Sequence, residues 1–170
     1  MKIKASGKFE QLDDWQTPPE IIKAVKTHMG ISFDCAASST NAVASRYFTA
    51  HNSFLSNSDS LLRKLAEDAP AWCNPPFSLA DEFFERIAKS GIPCVAIYKA
   101  TNQQSKTWQD TIYPAVKQIL MIKGRTAFIN PETGKPVPNP PFNSCLLFFN
   151  CECGIPPDAI EGVLTTPGAR

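Results

Sequence analysis

No stretch of this 170-residue chain is apolar for the roughly 18–20 residues a bilayer crossing needs, so a membrane-spanning helix is not expected. The opening Met1-Lys2-Ile3-Lys4 lacks the apolar segment of a signal peptide, and secretion is not expected either. An excess of one charge is also missing. Seventeen Lys and Arg against 16 Asp and Glu leave +1, which excludes a histone-like basic protein but not an enzyme carrying a local basic patch. Histidine is scarce: His28 and His51 lie away from every motif and are given no role. Six cysteines are present, yet Cys35, Cys73, Cys94 and Cys145 sit inside apolar, strand-like stretches, as buried reduced thiols of a cytosolic protein do. Cys151 and Cys153 form a single C-x-C pair with no second pair and no neighbouring His at zinc spacing, so no metal is expected.

What is present is globular. Hydrophobic residues make up 43% and charged residues 19%, and the length suits one domain with a core able to fold alone. The 15 prolines punctuate the chain without forming a low-complexity tract. Residues 1–12 are polar and lysine-bearing, expected as a flexible arm, residues 13–150 as the folded domain, and residues 151–170 as a turn-rich tail. Thr17-Pro18-Pro19-Glu20 opens a helix, with a hydroxyl cap, proline in the first turn and Ile21, Ile22, Val25 and Met29 behind it. Ile31-Ser32-Phe33-Asp34-Cys35-Ala36-Ala37 reads as a buried strand and its exit loop, and further strands are expected at Ala71-Trp72-Cys73, Cys94-Val95-Ala96-Ile97-Tyr98, 116–122 and 145–149. Helices are expected over 41–48, 79–90 and 102–113, with Phe83, Phe84 and Ile87 sharing one face of the second. A Pro/Gly/Asn-rich loop fills 124–143, and loops of that length inside a compact domain are commonly functional. The alternation argues an α/β domain with a mostly parallel sheet and 145–149 as an antiparallel C-terminal strand. Ligands of such sheets bind at the carboxyl ends of the strands, where Asp34, Asn74 and Lys99 fall.

Asn74-Pro75-Pro76-Phe77, following an apolar strand, is the most informative motif. Two prolines remove two N–H groups and fix φ, leaving a stiff loop with free carbonyls. Asn74 offers a side-chain acceptor, Pro75 a backbone carbonyl and Phe77 a flat apolar face. Two acceptors beside an aromatic platform suit a planar base with an exocyclic amine, such as adenine. Accepting both N–H bonds favours a tetrahedral, more nucleophilic nitrogen, and stacking supplies roughly 1–3 kcal/mol against a flipping cost of a few kcal/mol. The competing reading is a proline-rich turn that caps a core strand. The tetrapeptide recurs as Asn139-Pro140-Pro141-Phe142, but before a strand and within the long loop; it is taken as loop structure or a base-facing wall.

These pieces together resemble the phage DNA N-6-adenine methyltransferase family, over roughly residues 13–149. The resemblance rests on Asp14-Trp15-Gln16-Thr17-Pro18-Pro19, Phe33-Asp34-Cys35-Ala36-Ala37-Ser38, Ser58-Asp59-Ser60-Leu61, Trp72-Cys73-Asn74-Pro75-Pro76-Phe77-Ser78, Thr107-Trp108-Gln109-Asp110 and Gly124-Arg125-Thr126-Ala127-Phe128. It implies a single Rossmann-like methyltransferase domain that uses S-adenosylmethionine to methylate adenine N6 in double-stranded DNA, in the cytoplasm of a bacterial host. Asn74, Pro75 and Phe77 would hold the target adenine. Trp15, Thr17 and Pro18 would wall the methionine end of the cofactor, Asp34 would bind its amino-acid ammonium or a neighbouring polar group, and Asp59 its adenine amine.

Each assignment has a structural competitor. Asp34 also suits a helix cap, Asp59 an Asx-turn and Thr17 the cap of the first helix. Lys123 and Arg125, with Asn139 and Phe142, are candidates for DNA contact, against a solvated turn. A glycine-rich loop after the first strand is missing; Ala36-Ala37-Ser38-Ser39 stands there. Cytosine N4, RNA adenine and protein glutamine suit an Asn-Pro-Pro-aromatic loop equally well, and a non-catalytic nucleic-acid-binding module is the rival outside enzymes.

Overall fold

The computed structural model describes residues 14–49, 51–137 and 139–168. The expected flexible arm, 1–12, lies outside them. Helix α1 (Pro19–His28) begins as the Thr-Pro-Pro-Glu sequence requires, except that Pro18 takes the cap position and makes no side-chain cap bond. Thr17 is thereby released from the capping role expected of it. Helix α2 (Asp59–Leu65) is capped by Ser58, whose hydroxyl accepts the Leu61 N–H. Strand β1 (Ala71–Cys73) runs into the Asn-Pro-Pro-Phe loop. Helix α3 (Ala80–Ser90) closes on Gly91 at φ +70°, a left-handed terminus that glycine adopts without strain. Strands β2 (Cys94–Lys99), β3 (Val116–Ile122), β4 (Ser144–Phe149) and β5 (Gly162–Thr165) complete the chain.

The fold is α/β with one five-stranded mixed sheet in the order β1-β2-β4-β3-β5. The expectation of a mostly parallel sheet is corrected: only β1 and β2 pair in parallel, and β2 with β4, β4 with β3 and β3 with β5 are antiparallel. The reason is placement. The last apolar run, β4, inserts between β2 and β3, which point the same way, so each meets an antiparallel neighbour. β5 arises from the segment expected to be only turns. It packs so closely on β3 that a Cβ at Gly162 would lie 2.3 Å from the Met121 carbonyl oxygen.

Beside β1 the chain is strand-like without forming a full ladder. Ser32 N–H donates to Pro70 O, Trp72 N–H to Phe33 O and Cys35 N–H to Trp72 O, a parallel arrangement. Asp34 is bridged in parallel to Tyr47 on its other side. The helix expected over 41–48 is absent because Asp34 takes its hydrogen bonds: Asp34 N–H donates to Arg46 O, and Phe48 N–H to Asp34 O. The helix expected over 102–113 narrows to a π-helical turn, Thr107–Ile112, and one α turn, Tyr113–Ala115; Pro114 has no N–H with which to extend it.

The central strands β2 and β4 are apolar except at Lys99 and Ser144, which pair at one end, because both faces are covered. Val95, Ile97, Leu146 and Phe148 pack with α1, while Cys94, Ala96, Tyr98, Leu147 and Phe149 pack with α2, α3 and the π turn. Cys35, Cys73, Cys94 and Cys145 are free thiols buried in that second layer. Phe84 is fully buried, 5.7 Å from Phe149 in a stacked pair and 5.0 Å from Tyr98 edge-on. Phe84→Ala is expected to cost about 3–5 kcal/mol of unfolding free energy, read from urea denaturation.

Candidate active site

The segment through Asp34, β1 and β2 run in parallel, so their carboxyl ends share one edge of the sheet. A cleft of about 500 Å³ opens there, within the range typical of small-molecule sites. One wall is the segment before α1, with Trp15, Gln16 and Thr17; the floor is Asp34, Cys35 and Ala36; the far wall holds Thr49, Ser53, Phe54 and Leu55. Asn74, Pro76 and Leu79 close the side formed by the loop after β1.

Two ties hold the Trp15 wall in place. Gln16 and Ile129 exchange both backbone hydrogen bonds, at 3.0 and 2.9 Å, which fixes the wall to the long loop. Asn74 Nδ2 donates to the Trp15 carbonyl at 2.9 Å. That bond commits the amide's donor end and leaves Oδ1 as an acceptor. Thr17 Oγ1 is buried with no hydrogen-bond partner among the described residues, an arrangement that costs a folded chain free energy unless a ligand supplies the missing bond.

Asp34 is a buried carboxylate on the floor. Its Oδ1 accepts the Ala36 N–H and its Oδ2 the Val43 N–H, both at 3.1 Å, so it pins the loop that follows. Burial pushes its pKa up to about 6, against the opposing pull of those two N–H groups and of Lys26. A cation arriving in the cleft would offset that burial cost.

Outside the cleft lining, the two Asn-Pro-Pro-Phe copies meet through their aromatic rings. Phe77 and Phe142 pack edge to face at 5.3 Å, and Phe142 reaches Phe128 at 6.0 Å and Trp15 at 6.4 Å. Arg125 Nη1 donates to the Pro140 carbonyl at 3.2 Å and braces the second copy.

The chain matches the model of the DNA N-6-adenine-methyltransferase (Dam) family over residues 4–160. It belongs to that family. No curated protein matches it.

Within this Dam-family chain, Trp15, Thr17, Asp34 and Asn74 gather at one cleft. The other expected residues are placed elsewhere. Pro18 is buried at the start of α1, and Pro75 is buried in its loop. Phe77 lies outside the cleft lining, among Tyr98, Phe142 and Lys99. Asp59 is not on the cleft: as the first residue of α2 it pairs with Arg86 at 2.5 Å and with Arg63 at 3.7 Å. Phe142 is buried, whereas Asn139 is exposed, at φ +47°. Lys123 pairs with Glu161 on the surface. Among the described residues no helix is long and apolar enough to cross a membrane, and no cluster of three or more His, Cys, Asp or Glu is arranged to hold a metal.

Sequence reasoning missed Ser53 and Leu55, which lie in a turn-rich stretch without a motif. The only local signal was Ser53 two residues before Leu55, whose N–H it accepts to cap a short 3-10 turn. Gln16 was quoted as part of a motif, but its backbone exchange with Ile129, 113 positions away, left no pattern to find.

Proposed function

We propose that this chain transfers a methyl group from S-adenosylmethionine to the N6 amine of adenine in DNA. The observation that carries this reading is Asn74, fixed by its donor end to the Trp15 carbonyl at the cleft's edge, with its acceptor end uncommitted among the described residues. The lining suits the cofactor in two respects. Asp34 offers a buried carboxylate to an ammonium, and Thr17 Oγ1 lacks a partner that a polar group of the methionine end would provide. Trp15 would cover that end, and Thr49, Ser53 and Leu55 leave space for the nucleoside. Bound S-adenosylmethionine supplies an electrophilic methyl group on a sulfonium sulfur.

The chain's own work is positioning. Asn74 Oδ1 and the Pro75 carbonyl accept the two N–H bonds of the adenine amine, withdrawing its lone pair from the ring and turning it toward the cleft. Phe77 supports the ring by stacking. The proton lost after transfer passes to solvent or to Asn74 Oδ1, which already holds it in a hydrogen bond. No strong base is required, and rate enhancement comes from orientation and fixed dipoles.

Thr17 separates ligand binding from fold. Thr17→Val removes a buried hydroxyl that has no partner, so the ligand-free protein is expected to melt at an equal or higher temperature while S-adenosylmethionine affinity falls roughly tenfold. Thermal unfolding with and without the cofactor reads both. The function itself is tested by incubating the protein with methyl-labelled S-adenosylmethionine and equal amounts of unmethylated DNA, RNA and unmodified protein. Label confined to DNA is expected; label in RNA or in protein glutamine would transfer the reading to that substrate.

A further inference from the structure

The basic side chains so far connected with DNA, Lys123 and Arg125, are engaged with Glu161 and the Pro140 carbonyl. Lys99 is different. It ends β2, the strand beside β1, on the same edge of the sheet as Asn74. The parallel register pairs Cys73 with Ala96. Continued by one residue it sets Asn74 level with Ile97, and Lys99 stands two residues, about 7 Å, further out. Its ammonium lies 5.7 Å from the centre of the Phe77 ring and 5.9 Å from that of Tyr98. Among the described residues it meets no carboxylate; its recorded partners are these two aromatic faces. Directly across the β2–β4 pair stands Ser144, buried, with its hydroxyl unpartnered.

We propose that Lys99 binds a backbone phosphate of the target nucleotide, beside the aromatic face that takes the base. The inference rests on the methyltransferase reading given above. A half-buried ammonium held only by ring quadrupoles is weakly satisfied, because a cation–π contact is worth less than a charge-assisted hydrogen bond to phosphate. In the free protein Lys99 covers the Phe77 ring. When a base stacks on that ring, the ammonium leaves it for the phosphate joined to the same nucleoside, and one movement both clears the platform and neutralises the backbone. The flexible stem of lysine permits that movement.

The test measures binding of an unmethylated DNA duplex to the full chain as a function of salt, for wild type, Lys99→Met, Lys99→Gln and Lys99→Arg. Loss of one phosphate contact is expected to lower the slope of log K against log salt by about 0.9 and to weaken binding about tenfold at low salt in both neutral variants. Methylation KM for DNA should rise with kcat changed less, S-adenosylmethionine affinity should be unchanged, and Lys99→Arg should retain the wild-type slope. Should Lys99→Met unfold, Lys99→Gln and Lys99→Arg give the same comparison. An unaltered slope in a neutral variant of a protein that methylates DNA overturns the role of Lys99 alone. A wild-type chain that neither binds nor methylates DNA overturns this inference together with the reading beneath it.

Discussion

Replacing Asn74 by alanine is expected to reduce methyl transfer to DNA by about 10²–10³-fold, the loss seen when one preorganised polar group facing a reacting centre is removed. The substitution has two consequences that the structure separates. It deletes Oδ1, the acceptor at the edge of the cleft, and it cuts the 2.9 Å bond from Nδ2 to the Trp15 carbonyl. The second loss is minor, because the Gln16–Ile129 exchange still holds the wall. A single neutral hydrogen bond contributes about 0.5–1.5 kcal/mol, so S-adenosylmethionine affinity should fall by no more than about tenfold. Transfer rate and cofactor affinity, measured on the same preparation, distinguish a lost catalytic group from a loosened pocket. Equal losses in both would make Asn74 a structural tie only.

The second large effect concerns pH. Asp34 carries a pKa pushed up to about 6 by burial. A carboxyl whose folded pKa lies above its unfolded value contributes stability that is complete below the unfolded value, near 4, and lost as pH rises through about 6. The ionised form at neutral pH therefore sits in the ligand-free fold at a cost on the order of 3 kcal/mol. An ammonium against that carboxylate reverses the balance, because it favours ionisation. Affinity for S-adenosylmethionine should therefore be highest above pH 6 and decline below it, approaching tenfold per pH unit. Binding at pH 5 should release a proton to buffer, and Asp34→Asn should flatten the profile while lowering affinity at pH 7.5. Calorimetry in buffers of different ionisation heat measures both. A profile that is flat through pH 6 in the wild type would remove Asp34 from the cofactor's contacts.

How far the sequence disclosed these features follows from the range of the interactions. The Pro18-Pro19-Glu20 start of α1, the apolar runs of β2, β3 and β4 and the strand-to-loop step at Cys73-Asn74 depend on neighbours within a few residues, and each was legible. Sheet direction was not, because it depends on where β4 lies relative to β2 and β3, a choice made across the whole fold. The pairing of Asp59 was hidden for the same reason: its partner Arg86 stands 27 positions away, and no local pattern marks that pair. Asp34 stood out after an apolar run, but its backbone bonds to Arg46 and Phe48, which replace the helix that local propensity favoured, span 12 and 14 positions and left no pattern. The packing of Phe77 against Phe142 gives the repeated tetrapeptide a physical sense that its sequence position concealed. The second copy braces the first.

The most direct test of the account is a nucleoside analysis. Unmethylated duplex DNA is incubated with the protein and S-adenosylmethionine, digested to nucleosides and resolved by mass spectrometry, with Asn74→Ala run in parallel. The expected result is N6-methyladenine from the wild type and little or none from the variant. Methyl groups on cytosine N4, or equal N6-methyladenine from both proteins, would contradict the assignment of Asn74 and its loop to the adenine amine.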